Sequence, residues 1–397
     1  MHSRQISTVP FTRTVRWSVA GAALAAVLAA CGGGGGGSAT VPAMGTLKLA
    51  LTDAPACGFD HVYVTVEKVR VHRSSTAQDT DAGWSEIALK PARRVDLLTL
   101  TNGALQELGT TPLPAGQYTQ MRLVLTGNTT GGGAIANSVQ PIGGAEIPLT
   151  LPSGQQSGVK LQTRFDVAPG QAADLVLDFD ACKSVVQAGT SGAYHLKPAI
   201  SVMPRTASAI QGAVASTLAP ASTTIAAQQG GVTVRATQPD GRGNFSIPFL
   251  QPGTYTLVVA SDGHATGVIT GVPVGTGTTA VSASASAIAL PASSMGEITG
   301  AVSASDALTD AAPAVTSAFT DAEVRAVQLL SGGESIEVRS RPVDGVLGTY
   351  RLKVPAAAPM KAAYAASGAL SFKPDALEAG KYRVDVLVSE DTVALAE

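Results

Sequence analysis

The chain of 397 residues carries 27 Lys and Arg against 29 Asp and Glu, with 14% charged residues, 4% aromatic residues, 43 Gly and 23 Pro. A balance this close to neutrality supplies no basic field for nucleic acid. Abundant Gly, Ala, Thr, Ser and Val, with Pro-Gly turns throughout, favours an all-β exported chain over a helical one.

Residues 1–30 read as a secretory signal peptide: Arg4, Arg13 and Arg16 precede the apolar, Ala-rich run Trp17 to Ala30, which is too short and wrongly flanked for a spanning helix. Its end, Leu28-Ala29-Ala30-Cys31, resembles the lipobox of bacterial lipoproteins. That resemblance implies cleavage before Cys31, a diacylglycerol thioether on its sulfur and an acylated, palmitate-type amino terminus. Each buried methylene of such chains adds roughly 0.8 kcal/mol to membrane anchoring. Gly32, in place of Asp, implies transfer to the outer membrane under the enteric sorting pattern, so the expected location is the cell envelope. Residues 31–44, in which six glycines follow Cys31, are expected to serve as a flexible tether. Removal of residues 1–30 leaves 24 basic against 29 acidic residues, a net charge of −5.

With Cys31 lipidated, Cys57 and Cys182 remain as the one possible pair in an oxidising compartment. A bridge closing that loop would stabilise by roughly 4–5 kcal/mol in the chain-entropy model. The alternative is two free buried thiols.

The first domain, 45–204, opens with Leu47, Leu49 and Leu51 on one face of a strand. The stretch His61 to His72 alternates through Val62, Val64 and Val66, then resumes at Val69 and Val71. The phase slip at Glu67-Lys68 predicts a β-bulge or short bend. Strands follow at 119–125, 159–167, 174–180 and 194–203, while 95–108 admits a short helix and the Gly-rich 128–144 reads as a long loop or hairpin tip. The motifs Leu51-Thr52-Asp53-Ala54-Pro55, Val95-Asp96-Leu97-Leu98, Leu113-Pro114-Ala115-Gly116-Gln117-Tyr118, Leu177-Asp178-Phe179-Asp180-Ala181 and Tyr194-His195-Leu196-Lys197-Pro198 resemble a family of bacterial lipoprotein domains of unknown function. The resemblance implies an envelope address and a β fold, with no activity attached.

After a linker at 204–208, Asp240-Gly241 and Pro252-Gly253-Thr254-Tyr255 each launch an alternating strand, which is hairpin chemistry. Residues 208–290 thereby resemble the carboxypeptidase regulatory-like domain, a transthyretin-type β-sandwich used as an accessory or binding module in that family. Residues 281–294 read as a last strand and linker. Residues 296–397 repeat the design loosely, with 321–330 read as strand over a competing capping-box helix. Gly-x-Tyr turns ending at Tyr118, Tyr255 and Tyr382 recur, each Tyr expected to cover a core edge with its hydroxyl in solvent.

Catalytic signatures are missing from the sequence: there is no Gly-x-Ser-x-Gly, His-Glu-x-x-His, P-loop or Cys-x-x-Cys. The scattered His61, His72, His195 and His264 read as strand-end residues. One constellation stands out. A Cys57–Cys182 bridge would gather Asp53, Asp178 and Asp180, the last two on one strand face by the two-residue period. Three such carboxylates suit Ca²⁺, or the acid–base pair of an exported hydrolase, or else cap turns on a solvated face. The sequence thus supports tandem β-sandwiches behind a lipidated tether, with no catalytic function. The expected role is non-catalytic binding of an envelope glycan or protein, or scaffolding. The alternatives are a hydrolase or Ca²⁺-dependent module using the three acids, and a purely structural lipoprotein.

Overall fold

The computed structural model describes residues 43–53, 58–129, 135–151, 158–302, 322–366 and 370–388. The expected signal, Cys31, most of the expected tether and Cys57 lie outside these residues. What is described is almost entirely β, and Pro42–Glu397 cluster as one compact unit.

Two facing sheets build the first sandwich. The smaller runs in the order Ile200–Pro204, Ala172–Phe179, Met44–Asp53 and Gln106–Pro114. The larger is built around Phe59–His72, which pairs with Ser85–Asp96, Gly116–Leu125 and Ser138–Pro141. Leu47, Leu49 and Leu51 project from the smaller sheet into a core shared with Val62, Val64, Val69 and Val71, all at most 1% exposed. Each such side chain contributes roughly 1.5–3 kcal/mol on burial. Register shifts between Val66 and Lys68 against both neighbours place the β-bulge where the valine phase slips. The possible helix within 95–108 contracts to a 3₁₀ turn, Leu97–Thr99, whose N-cap Asp96 accepts from Leu98 N. The segment 194–203 is two strands: Ala193–Leu196 belongs to the larger sheet and Ile200–Pro204 to the smaller, parted at Pro198, which cannot donate to a ladder. Within 128–144, Ser138–Pro141 is a strand rather than loop.

The second sandwich sets Asn244–Pro248, Ala209–Ala213 and Thr278–Ala280 against a six-stranded sheet. Four strands of that sheet, Val232–Thr237, Thr223–Gln229, Gly253–Ser261 and Gly267–Val274, come from the expected segment. Two more, Met360–Ala363 and Lys373–Pro374, arrive from the third segment, Met360–Ala363 pairing in parallel with Gly267–Val274. Within 281–294 there is no strand; Ile288 makes an isolated bridge to Val214 and is buried.

The third unit combines Met295–Ala301 with Thr349–Pro355, and Ala322–Leu329 with Ser335–Pro342 and Arg383–Val388. Ala322–Leu329 is strand, as its place in the repeat suggests. Val258 and Val268 of the second unit share a small core with Leu330, Ile336 and Val338 of the third.

The tyrosine turns correct one expectation. The hydroxyls of Tyr118 and Tyr255 do not point to solvent: they donate to Pro114 O and Gln251 O, each four residues upstream, at 2.9 Å. Both residues are 2% exposed, the arrangement of a tyrosine corner. Tyr382 instead donates to Pro355 O at 2.7 Å, joining two strands far apart in sequence. Gly116 and Gly380 take positive φ (146° and 64°), whereas Gly253 does not.

Candidate functional site

The parallel pairing of Met44–Asp53 with Ala172–Phe179 sets Thr52 opposite Asp178 and Asp53 opposite Phe179. This brings Asp53, Asp178 and Asp180 into one region, as the sequence suggests. Their roles there differ. Asp180 does not continue the strand face of Asp178: it is the N-cap of the short helix Ala181–Ser184, accepting from Lys183 N at 3.1 Å. Asp53 Oδ1 accepts from Ala181 N at 3.0 Å. Asp178 meets a guanidinium, Arg235 Nη2, at 3.4 Å, with both side chains below 10% exposure.

Arg235 comes from the second sandwich. Its strand Val232–Thr237 is inverted relative to its apolar pattern: Val232 and Val234 are 50% and 44% exposed, while Arg235 and Thr237 are 4% and 2% exposed. The guanidinium also donates to Met203 Sδ and lies over the Phe249 ring, 5.3 Å from its centroid. Thr237 and Ser246 meet Asn102 of the first sandwich: Asn102 N donates to Thr237 Oγ1 at 3.1 Å, and Ser246 N donates to Asn102 Oδ1 at 3.0 Å.

The third unit closes the junction. Lys183 pairs with Glu323 at 3.0 Å. Glu337 pairs with Arg325 at 3.3 Å, and its backbone exchanges hydrogen bonds with the Gln228 amide at 2.7 and 3.0 Å. A cavity of about 230 Å³ lies between Asp178, Asp180, Lys183 and Arg235. A smaller one of about 80 Å³ lies between Asp180, Lys183, Glu337 and Arg341.

Burial pushes the Asp180 carboxyl up to about 6; Lys183 opposes the shift, while Asp178 and Glu323 add to it. Burial likewise raises Asp178, opposed by Arg235. Arg235 is lowered by the same burial and supported by Asp178 and Asp53, yet a guanidinium keeps its proton in proteins. Around Lys183, Glu323, Asp180 and Glu337 outweigh the desolvation and hold the ammonium charged.

No group of three His, Cys, Asp or Glu among the described residues is arranged to hold a metal ion. The physical reason is visible in the partners: the charge of Asp178 faces Arg235, and Asp53 and Asp180 each accept a backbone N–H. The pattern is cross-unit charge pairing; its members Arg235, Lys183 and Glu337 were not singled out by sequence motifs, and Glu323 entered there as part of a capping-box spacing and not as a charge partner.

Residues 44–198 match the family described as Domain of unknown function (DUF4382). No curated protein matches the chain. Among solved structures, similarity extends to a type II cohesin–X-dockerin complex of Acetivibrio cellulolyticus, at 26% identity over 21% of this chain and 58% of that one, with a TM-score of 0.18. The Bacillus anthracis TIE protein is 12% identical over 79% of this chain and 44% of that one, with a TM-score of 0.17. A leucine-rich repeat protein of Bacteroides thetaiotaomicron is 11% identical over 60% and 26%, also at 0.17. The chain spans less than two thirds of each of these three structures.

Proposed function

We propose that this chain is a lipid-anchored scaffold of the bacterial cell envelope, holding a non-catalytic binding surface away from the membrane. The observation that supports this reading is the junction: Arg235–Asp178, Lys183–Glu323 and Gln228–Glu337 join three β units that would otherwise be beads on a string. Such polar cross-links favour one fixed arrangement over many. In this reading Cys31 carries the lipid, the six glycines act as a tether, and the carboxypeptidase-like sandwiches are spacers. A Cys57–Cys182 disulfide, which we assign on the cysteine count and on Cys182 not standing as a free thiol, would fasten the first sandwich beside the junction.

A hydrolase using Asp53, Asp178 and Asp180 is disfavoured by access and engagement: Asp53 and Asp178 are 2% and 6% exposed, Asp178 faces Arg235, and Asp53 and Asp180 accept backbone N–H groups. The anchor is tested by feeding cells an alkyne fatty acid and comparing the wild type with Cys31→Ser. Label and membrane retention in the wild type alone are expected. Equal retention of an unlabelled wild-type chain would overturn the anchor.

A further inference from the structure

A cleft of about 790 Å³ separates the first and third units, and nothing described so far uses it. Its volume falls in the range of small-ligand sites, roughly 300–1,000 Å³. The wall from the first unit carries Phe59 and Tyr194, packed edge to face at 5.9 Å. Opposite them stands Tyr350, the cross-strand partner of Gly300. A Cβ built on Gly300 would come within 2.5–2.9 Å of three atoms of the Tyr350 phenol, so the half-buried ring lies across the glycine where it lines the cleft. Exposed hydroxyls of Thr190 and Thr299 line the opening.

The walls are fixed relative to each other. Gly189 N donates to the Asp344 carboxylate at 3.1–3.2 Å, and Gly345 N donates to Gln187 O at 3.0 Å. The same carboxylate accepts from Val346 N and Leu347 N, so its charge is already engaged by four contacts to backbone N–H groups. The cationic groups of the lining are Arg341 and Arg351. Arg351 has a carboxylate partner, Glu297, at 3.2 Å, but the two side chains are 70% and 50% exposed, and such surface pairs exchange readily. Arg341 already has a partner within the chain, so Arg351 is the cation open to exchange.

We propose that this cleft binds an acidic oligosaccharide, with sugar rings against Tyr350 and the Phe59–Tyr194 pair and a carboxylate at Arg351. Flat aromatic faces receive the C–H faces of sugar rings, hydroxyls take ring hydroxyls, and guanidinium forks match carboxylates bidentately. The site deepens the binding part of the reading above. Its test uses detergent-solubilised mature chain, so loss of the lipid anchor and loss of this site are separate results.

Calorimetry would compare a hexamer of galacturonic acid with the neutral cellohexaose and with hexaglutamate. Saturable heat is expected for the acidic sugar, with affinity lowered about fivefold or more by Arg351→Gln and by Gly300→Ala, whose methyl pushes the Tyr350 ring aside. Arg351 is on the surface, so its variant tests the site without threatening the fold, and an unchanged melting temperature is expected. Absence of heat with the acidic sugar, equal heat with cellohexaose, equal heat with hexaglutamate, or affinity untouched by both variants would each overturn the proposal.

Discussion

Two strands show opposite ways of using an alternating pattern. In Met44–Asp53 the leucines face inward and form the first core. In Val232–Thr237 the valines face out, and Thr233, Arg235 and Thr237 face the neighbouring units. The first strand stabilises its own sandwich by apolar burial, which is indifferent to partner identity. The second specifies which surface it meets, because a buried guanidinium is tolerable only opposite a carboxylate. The core of a unit can therefore be read from hydrophobic period, whereas the contact between units depends on charges that the period places on the wrong side.

The sharpest way to break this comparison is a pair of substitutions with similar cost and different rescue. Phe179→Ala empties a fully buried aromatic site and should lower unfolding free energy by about 3–5 kcal/mol. Arg235→Ala leaves Asp178 buried without its guanidinium and should cost a comparable 3–5 kcal/mol or so. Adding Asp178→Asn should recover at least about 2 kcal/mol in the arginine variant, by removing the stranded charge, and should destabilise the phenylalanine variant further, where it strands Arg235 instead. Urea denaturation of the four proteins measures this. Equal response of both backgrounds to Asp178→Asn would show that the pair does not couple the two units.

A smaller effect sharpens the contrast between the turns. Tyr118→Phe keeps the ring on Phe165, 5.3 Å away, and deletes one hydrogen bond within the turn, so a loss of about 1 kcal/mol is expected. Tyr382→Phe deletes a bond between two segments of the third unit at similar cost. Hydrogen exchange should separate them. The Tyr118 variant loosens amides locally near Pro114, while the Tyr382 variant loosens both Thr349–Pro355 and Arg383–Val388. Identical exchange patterns confined to the turn in both variants would contradict the distinction.

The legible part of the fold follows the same division. Leu47, Leu49 and Leu51, the valines of Phe59–His72 and the slip at Lys68 were readable because each is a local period or its interruption. The gathering of Asp53, Asp178 and Asp180 was readable as proximity only through an expected Cys57–Cys182 bridge, whereas the parallel pairing of Met44–Asp53 with Ala172–Phe179 is what the fold shows bringing them together. Its chemistry was not, because the compensating cation, Arg235, is 57 residues from Asp178 and sits in a strand whose valines advertise the opposite face. Met360–Ala363 was likewise hidden: four residues carry too little period to announce a strand, and its partner Gly267–Val274 lies in another unit. The cleft between Tyr194 and Tyr350 is a product of that tertiary arrangement, with no contiguous motif behind it.

The smallest effect concerns Asp180, where the junction carries an electrostatic cost. Its carboxyl titrates at about 6 in the folded chain, above its ordinary 3.8, because burial and the charges of Asp178 and Glu323 outweigh Lys183. A group raised on folding favours the protonated folded state. Its contribution is complete below about pH 4 and disappears as pH rises through about 6. Wild-type stability should therefore fall between about pH 4 and 6 on this account. Asn is as good an N-cap as Asp, so Asp180→Asn keeps the bond to Lys183 N while removing the titration. Lys183 retains Glu323 as its partner at 3.0 Å. The variant should gain about 1 kcal/mol at pH 7, much less than the full shift implies since the residue is only partly buried, and little or nothing at pH 4. Its stability should change less between about pH 4 and 6, with Asp178 left to titrate against Arg235. A variant as steep as the wild type over that interval would place the cost elsewhere in the junction, whereas a loss at pH 7 would mean that the attraction between Asp180 and Lys183 exceeds the burial penalty.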